Sequence, residues 1–226
     1  MALVAHDANL WSVEHLFGWQ GGWIEIPVRM TVIRLATGTL VLHSPVPIGA
    51  ELCKELEALG PVGFIVVPWA HGKFAEAAAR RYPAAQLLAA PAPPSARKSL
   101  PFRGVLADRP PEAWGPDIET HLLEGFRLQE VVLFHRPSRT LVLTDLCFHI
   151  QRATTRLSGL FFRANGMWQR FAPSRIIRAL AVSDRAALRR SLERVLRWDF
   201  ERVIPGHGDV IERGGPAALR AAWPGS

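Results

Sequence analysis

From Met30 onward the chain alternates short apolar runs with helix-patterned segments, and this alternation limits the folds open to it. MTVIRLATGTLVLHS reads as two strands around a tight turn at Thr37-Gly38. Between Pro47 and Gly60, Leu52, Leu56 and Leu59 recur at i, i+4 and i+7, which is one face of a helix. Gly60-Pro61 stops that helix, and Gly63-Phe64-Ile65-Val66-Val67 reads as a buried strand. An alanine-rich helix follows His71 and ends at Tyr82-Pro83, and Gln86-Leu87-Leu88-Ala89 is the next apolar strand. Strands alternating with helices at this spacing specify an α/β layered fold.

Residues 91–116 are rich in proline and read as a long surface connection. Glu130-Val131-Val132-Leu133-Phe134 and Thr140-Leu141-Val142-Leu143-Thr144 then form a hairpin around HRPSR. Residues 151–182 mix aromatics with arginines and yield no assignment. Ser183 or Asp184 caps a helix whose Leu188, Leu192, Val195 and Leu196 share a face. A short strand, Arg202-Val203-Ile204, leads into Pro205-Gly206-His207-Gly208 and a polar tail. Ahead of this body, residues 1–29 carry Trp11, Trp19 and Trp23 around Gly21-Gly22. Exposed tryptophans are costly, so we expect an N-terminal arm (1–29) packed on a single domain (30–226) or on a partner subunit in a homo-oligomer.

Composition narrows the setting. With 49% hydrophobic and 21% charged residues, the 226-residue chain can bury a substantial core. No run approaches the roughly 18 apolar residues of a membrane span. The start, MALVAHDANLWSVEH, has neither a basic n-region nor an apolar h-region. Cys53 and Cys147 lie far apart without metal-type spacing, as suits a reducing compartment. The expectation is a cytoplasmic protein with no membrane association. The net charge of +7 comes from 24 Arg against 3 Lys, with 12 of those arginines between Arg152 and Arg202. That segment is either a solvated, partly ion-paired surface or a track for a phosphate backbone.

Open sheets gather ligands at the carboxyl ends of their strands, where loops converge while the strand bodies stay buried. His71 follows FIVVP, Asp145 follows TLVLT, His207 follows RVIPG, and His43 follows TLVL. Two imidazoles and a carboxylate suit zinc, manganese or ferrous iron. Read singly, a histidine at a strand end is more often an ordinary hydrogen-bonding residue.

These segments, taken in order, resemble the metallo-β-lactamase superfamily over about Met30 to Gly215. The resemblance implies a four-layer αββα sandwich with metals at the sheet edge. In well-equipped members a strand leads into H-x-H-x-D-H, then a helix, then an aromatic residue with proline. His71 lies twelve residues before Pro83, the place of the last histidine, which puts Val66, Pro68 and Ala70 at the other three positions. A P-G-H-T segment precedes the hairpin in the family, and here Phe126 replaces its histidine. Thr144-Asp145 corresponds to the G-D pair, and Pro205-Gly206-His207-Gly208 matches the terminal histidine segment. MTVIRL, LHSPV, VVPWAHGKF, TLVLTDL and RWDFERVIPGHG further resemble a domain-of-unknown-function branch of the superfamily. That branch implies a histidine pair at Ala70-His71, making Ala70 a further loss.

The departures fall mostly on one ion. Val66, Pro68 and Phe126 remove the histidines of the first metal site, whereas the second lacks only the aspartate at Ala70. The resemblance therefore implies at most one divalent ion, held by His71, Asp145 and His207, with His43, His135 or His149 as candidate fourth ligand or proton shuttle. Asp145, Cys147 and His149 would share a face if TDLCFHI stayed extended; the other reading of Cys147 is a buried apolar residue. Two functions follow. One is a mononuclear hydrolase that uses metal-activated water on a small molecule. The other is a catalytically inactive member that binds a small ligand or partner, with Trp69 and Phe126 lining an apolar pocket. A third, nucleic-acid binding through residues 152–202, is disfavoured in its nuclease form because those members use two metals.

Overall fold

The computed structural model describes residues 1–91 and 100–225. The first half comprises β1 (Val4–Asp7), β2 (Leu10–Trp19), β3 (Ile24–Arg34), β4 (Leu40–His43), α1 (Ala50–Leu59), β5 (Val62–Val67), α2 (Ala75–Arg81), β6 (Gln86–Ala89) and β7 (Gly104–Val105). Its strands form one seven-stranded sheet in sequence order. Pairing is antiparallel from β1 to β4 and parallel from β4 to β7. The switch follows from the connections: short turns join the early strands, and α1 and α2 carry the chain back from β4 to β5 and from β5 to β6.

The second half contributes β8 (Ile118–Leu122), β9 (Val131–His135), β10 (Thr140–Val142), β11 (Phe148–His149), α3 (Arg156–Ala164), β12 (Phe171–Ala172), α4 (Arg175–Leu180), α5 (Arg185–Val195), β13 (Arg202–Ile204) and α6 (Gly215–Ala222). Here β13-β10-β9-β8 is a four-stranded sheet, with β10 and β13 parallel and the other pairs antiparallel. The β9–β10 hairpin is the one expected from the sequence. So is the cap of α5, where the Asp184 side chain accepts from Ala187 N at 3.0 Å.

Alternation along each strand stacks the layers. On β5, Phe64 and Val66 face inward to meet Val131, Leu133, Val142 and Ile204 of the other sheet. Ile65 and Val67 face outward, against Leu52 and Leu56 of α1 and Ala75 and Ala78 of α2. On β9, Val132 and Phe134 likewise turn outward toward Leu188, Leu192 and Val195 of α5. Helix, sheet, sheet and helix thus enclose separate apolar layers, which is the expected αββα sandwich. Each fully buried Val, Leu or Phe contributes about 1.5–3 kcal/mol relative to exposure.

Three expectations need correction. Part of the connection expected over 91–116, residues 92–99, lies outside the described residues. Of the rest, Gly104–Val105 joins the sheet as β7, and Trp114 is 1% exposed with its ring 5.7 Å from Phe64. Leu106 and Trp114 of that stretch close the inter-sheet core, while most of its other residues stay at the surface. The supposed polar tail holds α6, whose Leu219, Ala222 and adjoining Trp223 enter the core around α5. Residues 151–182, left unassigned, hold α3, β12 and α4. At the N-terminus, β2 pairs with β3 from Leu10↔Ile33 to Trp19↔Ile24, so β3 runs straight through Met30. Trp11 packs beside the outer core and under Arg34, whereas Trp23 stands 73% exposed. Among the described residues no helix is long and apolar enough to cross a membrane.

Because Leu219 is 1% exposed and fills the space between α6 and the second sheet, Leu219→Ala is expected to cost about 2–5 kcal/mol. Urea denaturation followed by circular dichroism measures it; a cost below about 0.5 kcal/mol would mean that α6 merely decorates the surface.

Candidate metal centre

The three strand-end residues meet in one place. His71 follows β5, where Pro68 ends the strand and His71 N closes a turn onto Pro68 O at 3.2 Å. Asp145 follows β10 in a turn held from below by Glu130, whose carboxylate accepts from Thr144 N at 2.7 Å and Asp145 N at 2.9 Å. His207 follows β13 in a loop fastened to the opposite sheet. Arg29 N of β3 donates to Gly206 O at 2.9 Å, and His207 Nδ1 lies 2.7 Å from the Pro27 carbonyl. Glycine is required at 206 because a Cβ there would sit 2.8 Å from Thr144 O and 3.2 Å from the His71 ring. Phe148 stacks on the His207 imidazole at 4.5 Å and fixes its plane.

Tautomers follow from these partners. A carbonyl only accepts, so His207 Nδ1 carries the proton and Nε2 presents a bare lone pair. Burial holds His207 below the ordinary histidine range against the opposing pull of Asp145, favouring the neutral ring. The Nε2 atom nevertheless sits 3.2 Å from Asp145 Oδ1. Burial opposes ionisation of that carboxyl, but the neighbouring His71 and His207 rings outweigh it and hold it well below the usual range. In that tautomer two acceptors face each other, an arrangement that a cation between them, proton or metal ion, relieves. His71 completes the group: its Nε2 is 3.0 Å from His207 Nε2 and 3.5 Å from Asp145 Oδ1, while Ser44 Oγ lies 2.6 Å from its Nδ1. With Ser44 accepting from Nδ1, a third lone pair points at the same spot.

The spacing fits an ion. Donors about 2 Å from a common zinc at the tetrahedral angle lie roughly 3.3 Å apart. The observed separations are 3.0, 3.2 and 3.5 Å. Among the described residues this is the one group of three such side chains able to hold a metal. The side chains are 7–9% exposed, so few waters compete.

The surrounding positions are apolar. Val66 lies in the inter-sheet core, and Phe126, 1% exposed, pairs with Val182 and packs near α5. Neither offers a donor atom to an ion. None of the proposed fourth ligands joins the group. His149 Nδ1 donates to Asp209 O at 2.9 Å, and His135 stands at the far end of β9 against Ser138. His43 is buried at the end of β4 beside His71 without entering the cluster. Cys147 is 0% exposed within the outer core, and burial pushes its thiol up, so it is the buried apolar residue.

Above the three ligands opens a cleft of about 310 Å³. Phe17, Trp19 and Ile26 of β2 and β3, Phe74, Phe161 of α3 and Ile176 of α4 form its walls, with Lys73 among the lining residues. Trp69 and Phe126, expected to line it, do not. Phe126 is committed to the core, and the walls come instead from the N-terminal strands and the unassigned 151–182 region. Sequence reasoning also missed Ser44, Glu130 and the Pro27 carbonyl. Ser44 adopts φ 61°, a strained left-handed conformation that carries its hydroxyl to His71. Glu130 gave a faint signal, a carboxylate leading an apolar strand. Burial and the Asp145 charge push it up to about 8, against hydrogen bonds from the Thr144, Asp145 and Leu146 amides.

Comparison with known proteins agrees with this geometry. The family model DUF4336, described as a domain of unknown function, matches residues 7–164. Among solved structures, a metallo-beta-lactamase from Pontibacter korlensis superposes with a TM-score of 0.64 at 14% identity, over 100% of this chain and 99% of its own. A flavoprotein from Thermotoga maritima gives 0.66 at 11% identity, over 97% of this chain and 59% of its own. The flavodiiron core of Flv1 from Synechocystis gives 0.65 at 10%, over 97% and 59%. These likenesses establish the fold. No curated protein matches the sequence.

One consequence is a histidine that stays neutral in acid. Burial, helped by the adjacent His71, holds His43 down to about 3, against 6.5 in the unfolded chain. The unfolded state therefore takes up a proton below 6.5 that the native state refuses. This contribution to stability is intact above pH 6.5 and is lost progressively as pH falls toward 3. Imidazole carbon shifts in an NMR titration should leave His43 flat from pH 8 to 5; a midpoint near 6.5 would contradict its burial.

Proposed function

The chain belongs to the DUF4336 family, and from that premise we propose that it is a mononuclear metal-dependent hydrolase acting on a small, largely apolar substrate. The observation that carries this reading is the convergence of His71 Nε2, Asp145 Oδ1 and His207 Nε2 at 3.0–3.5 Å on the floor of an apolar cleft. Zinc, manganese or ferrous iron suits two imidazoles and a carboxylate. When bound, such an ion supplies Lewis acidity and lowers the pKa of water toward neutrality.

The protein's own groups perform the rest. Pro27 O and Ser44 Oγ fix the two imidazoles with their Nε2 lone pairs turned to the site. Asp145 contributes the negative charge, and Glu130 locks its backbone so that the carboxylate does not swing away. Phe17, Phe74, Phe148 and Phe161 take the apolar part of a substrate and exclude bulk water, which strengthens each electrostatic contact below them. Lys73, over the Phe17 ring at 4.4 Å, can meet a negative group on the substrate. Loss of the first site removes the two-ion clamp on attacking and leaving atoms, favouring activated acyl compounds over phosphodiesters.

The second reading, an inactive ligand-binding module, is supported by the same half-stripped site. Turnover separates the two. Protein loaded in turn with zinc, manganese and ferrous iron is assayed on p-nitrophenyl esters of increasing chain length. Metal-dependent hydrolysis that is abolished in Asp145→Asn is the expected result. Ser44→Ala should weaken metal affinity by about 10–100-fold, as loss of a ligand's hydrogen-bond partner does. Tight metal binding without turnover of any ester would favour the binding module.

A further inference from the structure

The surface around the mouth of the cleft reverses the usual pattern of an exposed face. Trp23 is 73% exposed, Leu180 68%, Leu160 63%, Ile176 46% and Leu157 45%. They lie at the β2–β3 tip and on α3 and α4, elements that also wall the cleft. The tip is pinned to α3, with Trp19 5.4 Å from Phe161 and Glu25 N donating to Ser158 Oγ at 2.9 Å. Inward, α3 buries Ser158, Gly159 and Phe162, which leaves Leu157 and Leu160 facing water. Exposed apolar groups gathered on neighbouring elements in this way mark a docking surface.

Charge identifies the partner. Residues 151–182 carry Arg152, Arg156, Arg163, Arg170, Arg175 and Arg178, with no Asp, Glu or Lys. All six are exposed, and among the described residues only Arg152 has an ion pair, with Asp209 at 3.8 Å. We propose that this rim docks the protein on an anionic lipid surface. Trp23, Leu157, Leu160 and Leu180 enter the boundary between headgroups and acyl chains, and the arginines meet lipid phosphates. The cleft then opens at the depth where an acyl chain could enter it.

Competing occupants fit less well. A nucleic acid would engage the arginines and Trp23 but leave the exposed leucines in water. A second copy would bring one set of uncompensated arginines against another. No span is needed, since interfacial binding uses an apolar rim with a basic surround. The proposal does not depend on the metal reading.

Flotation with phosphatidylcholine vesicles, with and without about one third phosphatidylglycerol, tests it on the full chain. Binding to the anionic vesicles that weakens with salt is expected, with little on phosphatidylcholine alone. Trp23→Ser combined with Leu160→Ser should lower binding at least tenfold, as should Arg156→Gln combined with Arg163→Gln, with melting temperatures unchanged. Val105→Ser, at a 62% exposed apolar position on β7, should change nothing. No flotation on either vesicle, an equal loss in Val105→Ser, or a gel shift with RNA in the absence of vesicle binding would overturn the proposal. So would a dimer in solution that both double variants dissociate.

Discussion

The hydrogen bond from His207 Nδ1 to the Pro27 carbonyl does more for this site than any single ligand contact. It joins β3 of one sheet to the loop after β13 of the other, across 180 residues of sequence. Arg29 reinforces it twice, through its amide to Gly206 O and its guanidinium to Pro205 O at 3.3 Å. Because the bond consumes the only proton on a neutral imidazole, it also decides which nitrogen faces Asp145. Sandwich packing brings the strand ends together; this tether turns their proximity into a ligand set.

Much of the fold was legible because its strands alternate cleanly. Runs such as FIVV and TLVL place one residue inward and the next outward, and a chemistry-bearing residue follows within a few positions of each run's end. That is why His71, Asp145 and His207 stood out, and why Val66 and Phe126 read as losses. The rest of the site was hidden for a physical reason. Pro27 acts through its carbonyl, which no side-chain pattern announces. Ser44 works only in a strained conformation, and Glu130 through amides that lie 14 and 15 residues away. The 151–182 region resisted assignment because α3 and α4 turn leucines and isoleucine outward, so apolar period and burial disagree. Where they disagree, the surface has been shaped by something other than packing.

Val66 and Phe126, which stand where the superfamily resemblance expects histidines, lie in the apolar cores. His71, Asp145 and His207 lie at the bottom of a hydrophobic cleft, with the Asp145 carboxylate backed by a second, buried carboxyl in Glu130. Burial and the Asp145 charge push Glu130 up to about 8, so it backs Asp145 as a mainly neutral, hydrogen-bonded carboxyl and not as a second charge. The likeness to a metallo-beta-lactamase and to flavodiiron cores at 10–14% identity fixes the architecture; chemistry must come from these side chains.

The most direct test is equilibrium dialysis of untagged protein against micromolar zinc, followed by elemental analysis. The proposed metal site predicts one ion per chain in the wild type and none in a folded His71→Ala, His207→Ala double variant. A wild-type protein that stays metal-free, or a double variant that retains its ion, would contradict the metal centre described above.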